Sequence, residues 1–276
     1  MRIKLNKYYE EITKMKIKRG RLRFYYSLLR TSVHYLITKD ITNPAYYMKN
    51  YSIVIYDECS FYIDHNTSFG YYLLLNIMEP ITYSEIMNKR GQLLIDVGAN
   101  CGGYTIRASK NFKKIISIEP VPIMREIINK NISLNGVNNV EILDAAVSDY
   151  NGTSRFYVSK LGQLSSFSEP VNYIESIDVK VTRLDKVIDE HGIIPDLVKI
   201  DAEGAEVECI LGLGKYINKI PELIIEISSS DKLKKISNIL NYYTLEKVSG
   251  SRGENYIFTI TKDSEGMLKS LKCTKN

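Results

Sequence analysis

The sequence predicts an α/β fold, a doubly wound and mostly parallel sheet of seven strands whose last strand runs antiparallel. Three observations carry this. From Leu93 onward, short apolar runs alternate with longer stretches of helical period, as parallel βαβ units do. A glycine-rich turn joins the first apolar run to the first helical stretch. The final two runs are separated only by the turn-forming residues Ser249 to Gly253, room for a hairpin but not for a crossover helix.

Taken in order, Leu93 to Val97 reads as a buried strand, Gly102 to Lys110 as a helix and Ile115 to Glu119 as a second strand. Pro122 suits a helix start, where its missing N–H costs nothing, and Gly136 suits the end of that helix after Asn135. Val140 to Val147 is the third strand. Between Thr153 and Val181, alternation in Arg155 to Val158 and in Asp178 to Thr182 predicts an inserted antiparallel pair. Leu197 to Asp201 and Leu223 to Ile227 are strands four and five, each followed by a helix, and Thr244 to Val248 with Tyr256 to Thr261 close the sheet.

Residues 1–90 have a different texture, rich in tyrosine and lysine without a readable strand-helix alternation, and are expected to form a mainly helical accessory region ahead of a domain spanning 91–276. Tyr8, Ile12 and Met15, and later Tyr26, Leu29, Val33, Leu36 and Ile37, recur at helical spacing and predict two amphipathic helices. The formal charge of +5 is concentrated here. Between Arg2 and Arg30 ten basic residues face only Glu10 and Glu11. A solvated helix face is the plainest use of such charge, and contact with an anionic surface is the other.

With 276 residues, 44% hydrophobic and 25% charged, the chain has the composition of a folded, water-soluble protein. Four cysteines lie far apart with no CxxC pair, and His34, His65 and His191 are equally scattered, so neither a metal site nor a disulfide framework is expected. Charges interrupt every apolar run before it reaches membrane-spanning length, and reduced thiols suit a cytoplasmic location.

The chemistry concentrates in Asp96-Val-Gly98-Ala-Asn100-Cys-Gly102-Gly103-Tyr104, at the turn from first strand to first helix. Glycine there lets the backbone approach a ligand, and open α/β sheets bind ligands at the carboxyl ends of their strands. Glu119, ending the second strand 21 positions after Gly98, can accept from the two ribose hydroxyls of an adenosine moiety. A dinucleotide site fits less well. Asn100 occupies the position of the glycine that admits a pyrophosphate, and Asp96 would put negative charge beside phosphates. The same charge suits the ammonium and sulfonium end of S-adenosylmethionine.

Several blocks in order now resemble the FkbM-type methyltransferase family: IDVGANCGGYT from Ile95, SIEPVP from Ser117, Asn131 and Asn135, AAVSD from Ala145, the pair Ser165 and Ser166, VTRLD from Val181, VKIDAEGAE from Val198 and PELIIEI from Pro221. The resemblance spans Leu94 to Ile260 and leaves the first ninety residues uncovered. It implies a Rossmann-like class I methyltransferase sheet, S-adenosylmethionine as cofactor, and O-methylation of a hydroxyl on a sugar, glycolipid or related metabolite. Carried over to this chain, it places Asp96, Gly98, Asn100 and Tyr104 around the methionine part of the cofactor. Glu119 would hold the ribose, with Asp144 and Ala145 bordering the adenine.

VKIDAEGAE supplies acids at the mouth of strand four. Asp201 or Glu203 is expected to orient or deprotonate the acceptor hydroxyl, with Glu226 in reserve. Glu206 reads better as a helix-dipole partner, as does His191 at a helix end before Gly192. His65 stays undecided, and Ser165 and Ser166 are expected on the inserted hairpin, as substrate contacts or turn residues. Two other functions compete: an RNA methyltransferase using the basic, tyrosine-rich segment, and a binding module that holds the cofactor without turnover. Nucleic acid is disfavoured, because Asp201-Ala-Glu203-Gly replaces the D/N-P-P-Y/F motif of exocyclic-amine enzymes and strand five has no lysine.

Overall fold

A computed structural model describes residues 13–38, 51–64, 79–159, 166–167, 173–248 and 254–261. Among the described residues the first elements are β1 (Lys16–Arg19), α1 (Arg21–Thr38), β2 (Tyr51–Tyr56), β3 (Cys59–Asp64) and α2 (Pro80–Asn88). The three strands form their own antiparallel sheet in the order β1-β2-β3. This sheet was not anticipated. Of the two expected helices, α1 carries Tyr26, Leu29 and Val33; the side chains of Leu36 and Ile37, like residues Tyr8, Ile12, His65, Ser165, Cys273 and the turn Ser249 to Gly253, lie outside the described set. The run after Met15 is a strand instead, with Lys16 opposite Ile55. A β2–β3 hairpin offers its edge to that run, and ladder pairing outweighs a weak helical spacing.

The large sheet takes β4 (Gly91–Val97), β5 (Phe112–Ile118), β6 (Val140–Leu143), β10 (Leu197–Ile200), β11 (Glu222–Ile227), β12 (Tyr243–Val248) and β13 (Glu254–Ile260), in the order β12-β13-β11-β10-β4-β5-β6. Only β13 runs antiparallel to its neighbours, as the short final turn predicts. The helices α3 (Gly103–Ala108), α4 (Pro122–Asn135), α5 (Leu184–His191), α6 (Glu206–Leu211) and α7 (Ser230–Ile239) connect the strands. Pro122 opens α4, and Gly136 closes it at φ 63°. Leu93 to Val97 on β4 and all four residues of β10 are buried, as central parallel strands covered on both faces must be.

One strand differs from expectation. Val140 to Val147 is broken at Asp144 and Ala145: β6 stays at the edge of the large sheet, while β7 (Ala146–Val147) leaves it to pair with β9 (Tyr173–Thr182), beside β8 (Gly152–Ser159). The inserted pair is present, with Arg155 opposite Asp178. Its long strands offer Ala146 and Val147 a buried partner that the edge of the large sheet lacks.

From β4 the chain moves outward to β5 and β6, then returns to β10 and β11 on the other side of β4. That reversal opens a crevice between the ends of β4 and β10. The N-terminal sheet lies to one side of it, its Val54, Phe61 and Ile63 sharing an apolar cluster with Cys101, Met124 and Ile127 near α3 and α4.

Candidate active site

The chain turns out of β4 through Gly98 at φ 72° and Asn100 at φ 52°. A side chain at position 98 would run into the backbone carbonyl of Asp201, so glycine is what lets the turns after β4 and β10 touch. The N–H groups of Gly98 and Ala99 donate to the Ile118 carbonyl at 3.0 and 3.2 Å, which ties this loop to the end of β5. Above it lies a cleft bounded by Gly98, Asn100, Glu119, Ala145, Asp201 and Glu203, with Ile118, Phe156 and Phe167 as apolar wall.

Glu119 is buried, and its two carboxylate oxygens accept from the backbone N–H groups of Asn100 and Val121, both at 2.8 Å. Burial pushes its pKa up to about 7 against those two hydrogen bonds and the nearby Arg125. A carboxylate has about four acceptor sites, so two remain for vicinal hydroxyls in the cleft. Phe156 and Phe167 meet edge to face at 5.3 Å between ring centres. Acceptor carboxylate, backbone cradle and apolar wall together fit an adenosine moiety.

Six of the nine expected residues thus meet at the cleft; Asp96, Tyr104 and Asp144 do not line it. Asp96, 1% exposed, lies beneath the loop, where Thr105 Oγ1 donates to its Oδ2 at 2.7 Å and Lys199 Nζ stands 3.9 Å from its Oδ1. Burial raises its pKa despite Lys199. Tyr104 is equally deep and donates its hydroxyl to Glu79 Oε2 at 2.8 Å. Asp144 stands outward in an ion pair with Arg125 at 2.8 Å, beside a second hollow that Ala145 also borders. The break between β6 and β7 turns Asp144 away from the cleft.

Lys199 and Glu79 were missed. Lys199 is 3% exposed on the central strand β10, with Nζ 3.4 Å from Asp201 Oδ2 and 5.1 Å from the Tyr104 ring centre. Burial works against its charge, but the carboxylates of Asp201, Asp96, Glu79 and Glu226 outweigh that and hold its pKa above the usual lysine range. VKIDAEGAE contains it, yet a lysine inside a buried strand gives no sign of its partners. Glu79 stands just before α2, remote in sequence. Burial raises its pKa. Glu226 is pushed up to about 8, by burial first and then by Asp201 and Glu79.

The secondary candidates resolve individually. Glu206, 2% exposed, pairs with Lys232 at 2.7 Å and accepts from the Gly204 N–H, which is a structural role at the start of α6. His191 ends α5 with Nδ1 2.7 Å from the Val187 carbonyl and Nε2 3.2 Å from Glu141, away from the cleft. Ser166 is engaged through its backbone in a bridge to Tyr157. Among the described residues no group of three or more acids, histidines or cysteines could hold a metal ion, and no helix is long and apolar enough to cross a membrane.

The profile of the family described as "Methyltransferase FkbM domain" matches residues 96–259, more than half of the chain. Among individual proteins, the chain is similar to methyltransferase sdnD of Sordaria araneosa, 25% identical over 52% of this chain and 72% of that protein. It is also similar to methyltransferase 1 of Beauveria bassiana, 24% identical over 50% of this chain and 65% of that protein. A crystal structure of methyltransferase FkbM from Methylobacillus flagellatus aligns at a TM-score of 0.46 and 17% identity, over 70% of this chain and 53% of that one, so the chain spans about half of that solved protein. The chain belongs to the FkbM methyltransferase family, with S-adenosylmethionine as its cofactor.

Proposed function

We propose that this protein methylates a hydroxyl group on a sugar, glycolipid or related metabolite, with residues 91–276 as the catalytic domain and 1–90 as an accessory region. The observation that carries the reading is Asp201. Its carboxylate stands on the cleft wall beside Glu203, and the buried Lys199 holds it from behind at 3.4 Å. An acid so placed can accept the proton of a hydroxyl.

When bound, the cofactor would supply a methyl on a sulfonium, an electrophile open to attack by the acceptor oxygen. The chain's own residues supply position and charge. Glu119 would hold the ribose, the loop from Gly98 to Asn100 would lie against the methionine portion, and Ala145 would border the base. Asp201 or Glu203 orients the acceptor and takes its proton. Asp96 acts from beneath, through Thr105 and Lys199, rather than by touching the ligand. General-base assistance contributes about 10²- to 10⁴-fold. Turnover of a hydroxyl acceptor by the wild type that falls by about that factor in Asp201→Asn or Glu203→Gln, with S-adenosylhomocysteine binding kept, supports the assignment; unchanged turnover in both variants refutes it.

The outer face of α1 favours a peripheral role on an anionic surface. Leu22 (87% exposed), Tyr26, Leu29 (62% exposed) and Val33 form one exposed stripe, with Arg21, Arg23 and Arg30 exposed along its sides. An apolar stripe flanked by arginine is the pattern of a helix lying in a lipid headgroup layer. It would bring the site to a lipid-linked acceptor. Vesicles containing anionic phospholipid should bind the protein with steep salt dependence and lose it in Leu22→Asp/Leu29→Asp; salt-insensitive or absent binding removes the idea.

A further inference from the structure

We propose that Asn131 is a positioning residue through which the N-terminal sheet sets the shape of the cofactor loop, making the segment ahead of the matched domain part of the cofactor-binding unit. β3 has an outer edge, the one not paired with β2. An open strand edge leaves backbone N–H and C=O groups without partners. Here α4 supplies them. Tyr62 N–H donates to Asn131 Oδ1 at 2.7 Å, Ser60 N–H donates to Asn135 Oδ1 at 2.7 Å, and Asn135 Nδ2 donates back to the Ser60 carbonyl at 2.7 Å. Four residues of helix advance about 6 Å and two residues of strand about 6.7 Å, so carboxamides one helical turn apart meet alternate residues of a strand. Two asparagines stand in for a neighbouring strand.

The two differ in what else they hold. Asn135 Nδ2 turns back to the Asn131 carbonyl at 2.8 Å, within α4. Asn131, 0% exposed, donates its Nδ2 to the Cys101 carbonyl at 2.9 Å, inside the loop that cradles the cofactor. One carboxamide therefore accepts from the N-terminal sheet and donates to the loop. Next along the loop, Asn100 N–H donates to Glu119, so a shift at Cys101 reaches the ribose acceptor. A second tie supports the first: the buried Arg107 guanidinium lies 4.4 Å from the Phe61 ring centre of β3, and its Nη1 donates to the Gly103 carbonyl just past the loop at 3.0 Å.

Backbone deletion on β3 tests this without touching the cofactor site. Tyr62→Pro removes the N–H given to Asn131, Tyr62→Ala removes the same ring but keeps the N–H, and Ser60→Pro removes the N–H given to Asn135 alone. The first readout, without ligand, is hydrogen exchange at Gly102, whose amide closes the loop onto the Ala99 carbonyl at 2.8 Å, with the core amide of Ile116 reporting global opening. Tyr62→Pro should speed Gly102 exchange about ten-fold over Tyr62→Ala at unchanged Ile116 exchange, and Ser60→Pro should leave Gly102 as in wild type. The second readout is S-adenosylhomocysteine affinity, expected to be about five-fold weaker in Tyr62→Pro than in Tyr62→Ala. Equal behaviour of Tyr62→Pro and Tyr62→Ala, or a Ser60→Pro effect matching Tyr62→Pro, overturns the proposal. Should Tyr62→Pro not fold, Asn131→Ser against Asn135→Ser makes the same comparison. Absence of ligand binding in wild type would instead count against the cofactor site, while the exchange comparison would still decide the coupling.

Discussion

Lowering the pH from about 8 to about 6 should weaken S-adenosylhomocysteine binding about ten-fold, because Glu119 must be ionised to offer both oxygens to the ribose. Burial places its pKa at about 7, raised from 4.5. At about pH 6 only about one molecule in eleven carries the carboxylate, and apparent affinity falls by that fraction. The sign without ligand is opposite. A raised carboxyl pKa contributes stability that is fully present below the unfolded value of 4.5 and is lost as pH rises through about 7. Asp96, Glu79 and Glu226 are shifted in the same direction, so the ligand-free melting temperature should decline over that window while affinity climbs. Calorimetric titration at a series of pH values, for wild type and Glu119→Gln, reads the effect. The variant should bind more weakly with a flat profile. A flat wild-type profile, or the same slope in the variant, would refute the assignment of Glu119 to the ribose.

Other substitutions separate architecture from chemistry. Gly98→Ala forces a left-handed backbone and a collision with the Asp201 carbonyl, so it should cost at least about 2 kcal/mol and lower Tm by several degrees, with cofactor binding lost; calorimetric melting and titration check both. Lys232→Met strands the Glu206 carboxylate, which is 2% exposed, and should cost about 3 kcal/mol in denaturant unfolding while leaving S-adenosylhomocysteine affinity unchanged. Lys199→Met removes the buried cation between Asp96 and Asp201 and should lower both the denaturant midpoint and turnover, since the two carboxylates are then left without the charge that stands between them. Turnover unchanged from wild type would show that Lys199 does not act through Asp201.

By itself the sequence determined the strand-helix alternation, the antiparallel close, the glycine loop and the acids at the strand ends. These are local properties: the buried run of β4, the stop at Gly136, the turn at Gly98 and Glu119 closing β5 are written in neighbouring residues, and the parallel sheet then collects strand ends along one edge. It also placed Glu206 and His191 correctly as helix-end partners.

Only tertiary structure decided the rest. Val140 to Val147 reads as one strand because each half suits a strand; the split depends on β9, more than thirty positions further on, which offers Ala146 a partner. Lys16–Arg19 became a strand because a hairpin distant in sequence presented an edge. Lys199 and Glu79 join the site through burial against carboxylates from four separate segments, a relation no spacing records. Asn131 and Asn135 stood in the sequence as family landmarks, but their work, closing the edge of β3 and reaching Cys101, exists only once the N-terminal sheet packs beside α4. Local periodicity specifies which element forms; which element it meets is settled by the burial and hydrogen-bond pairing of residues far apart in the chain.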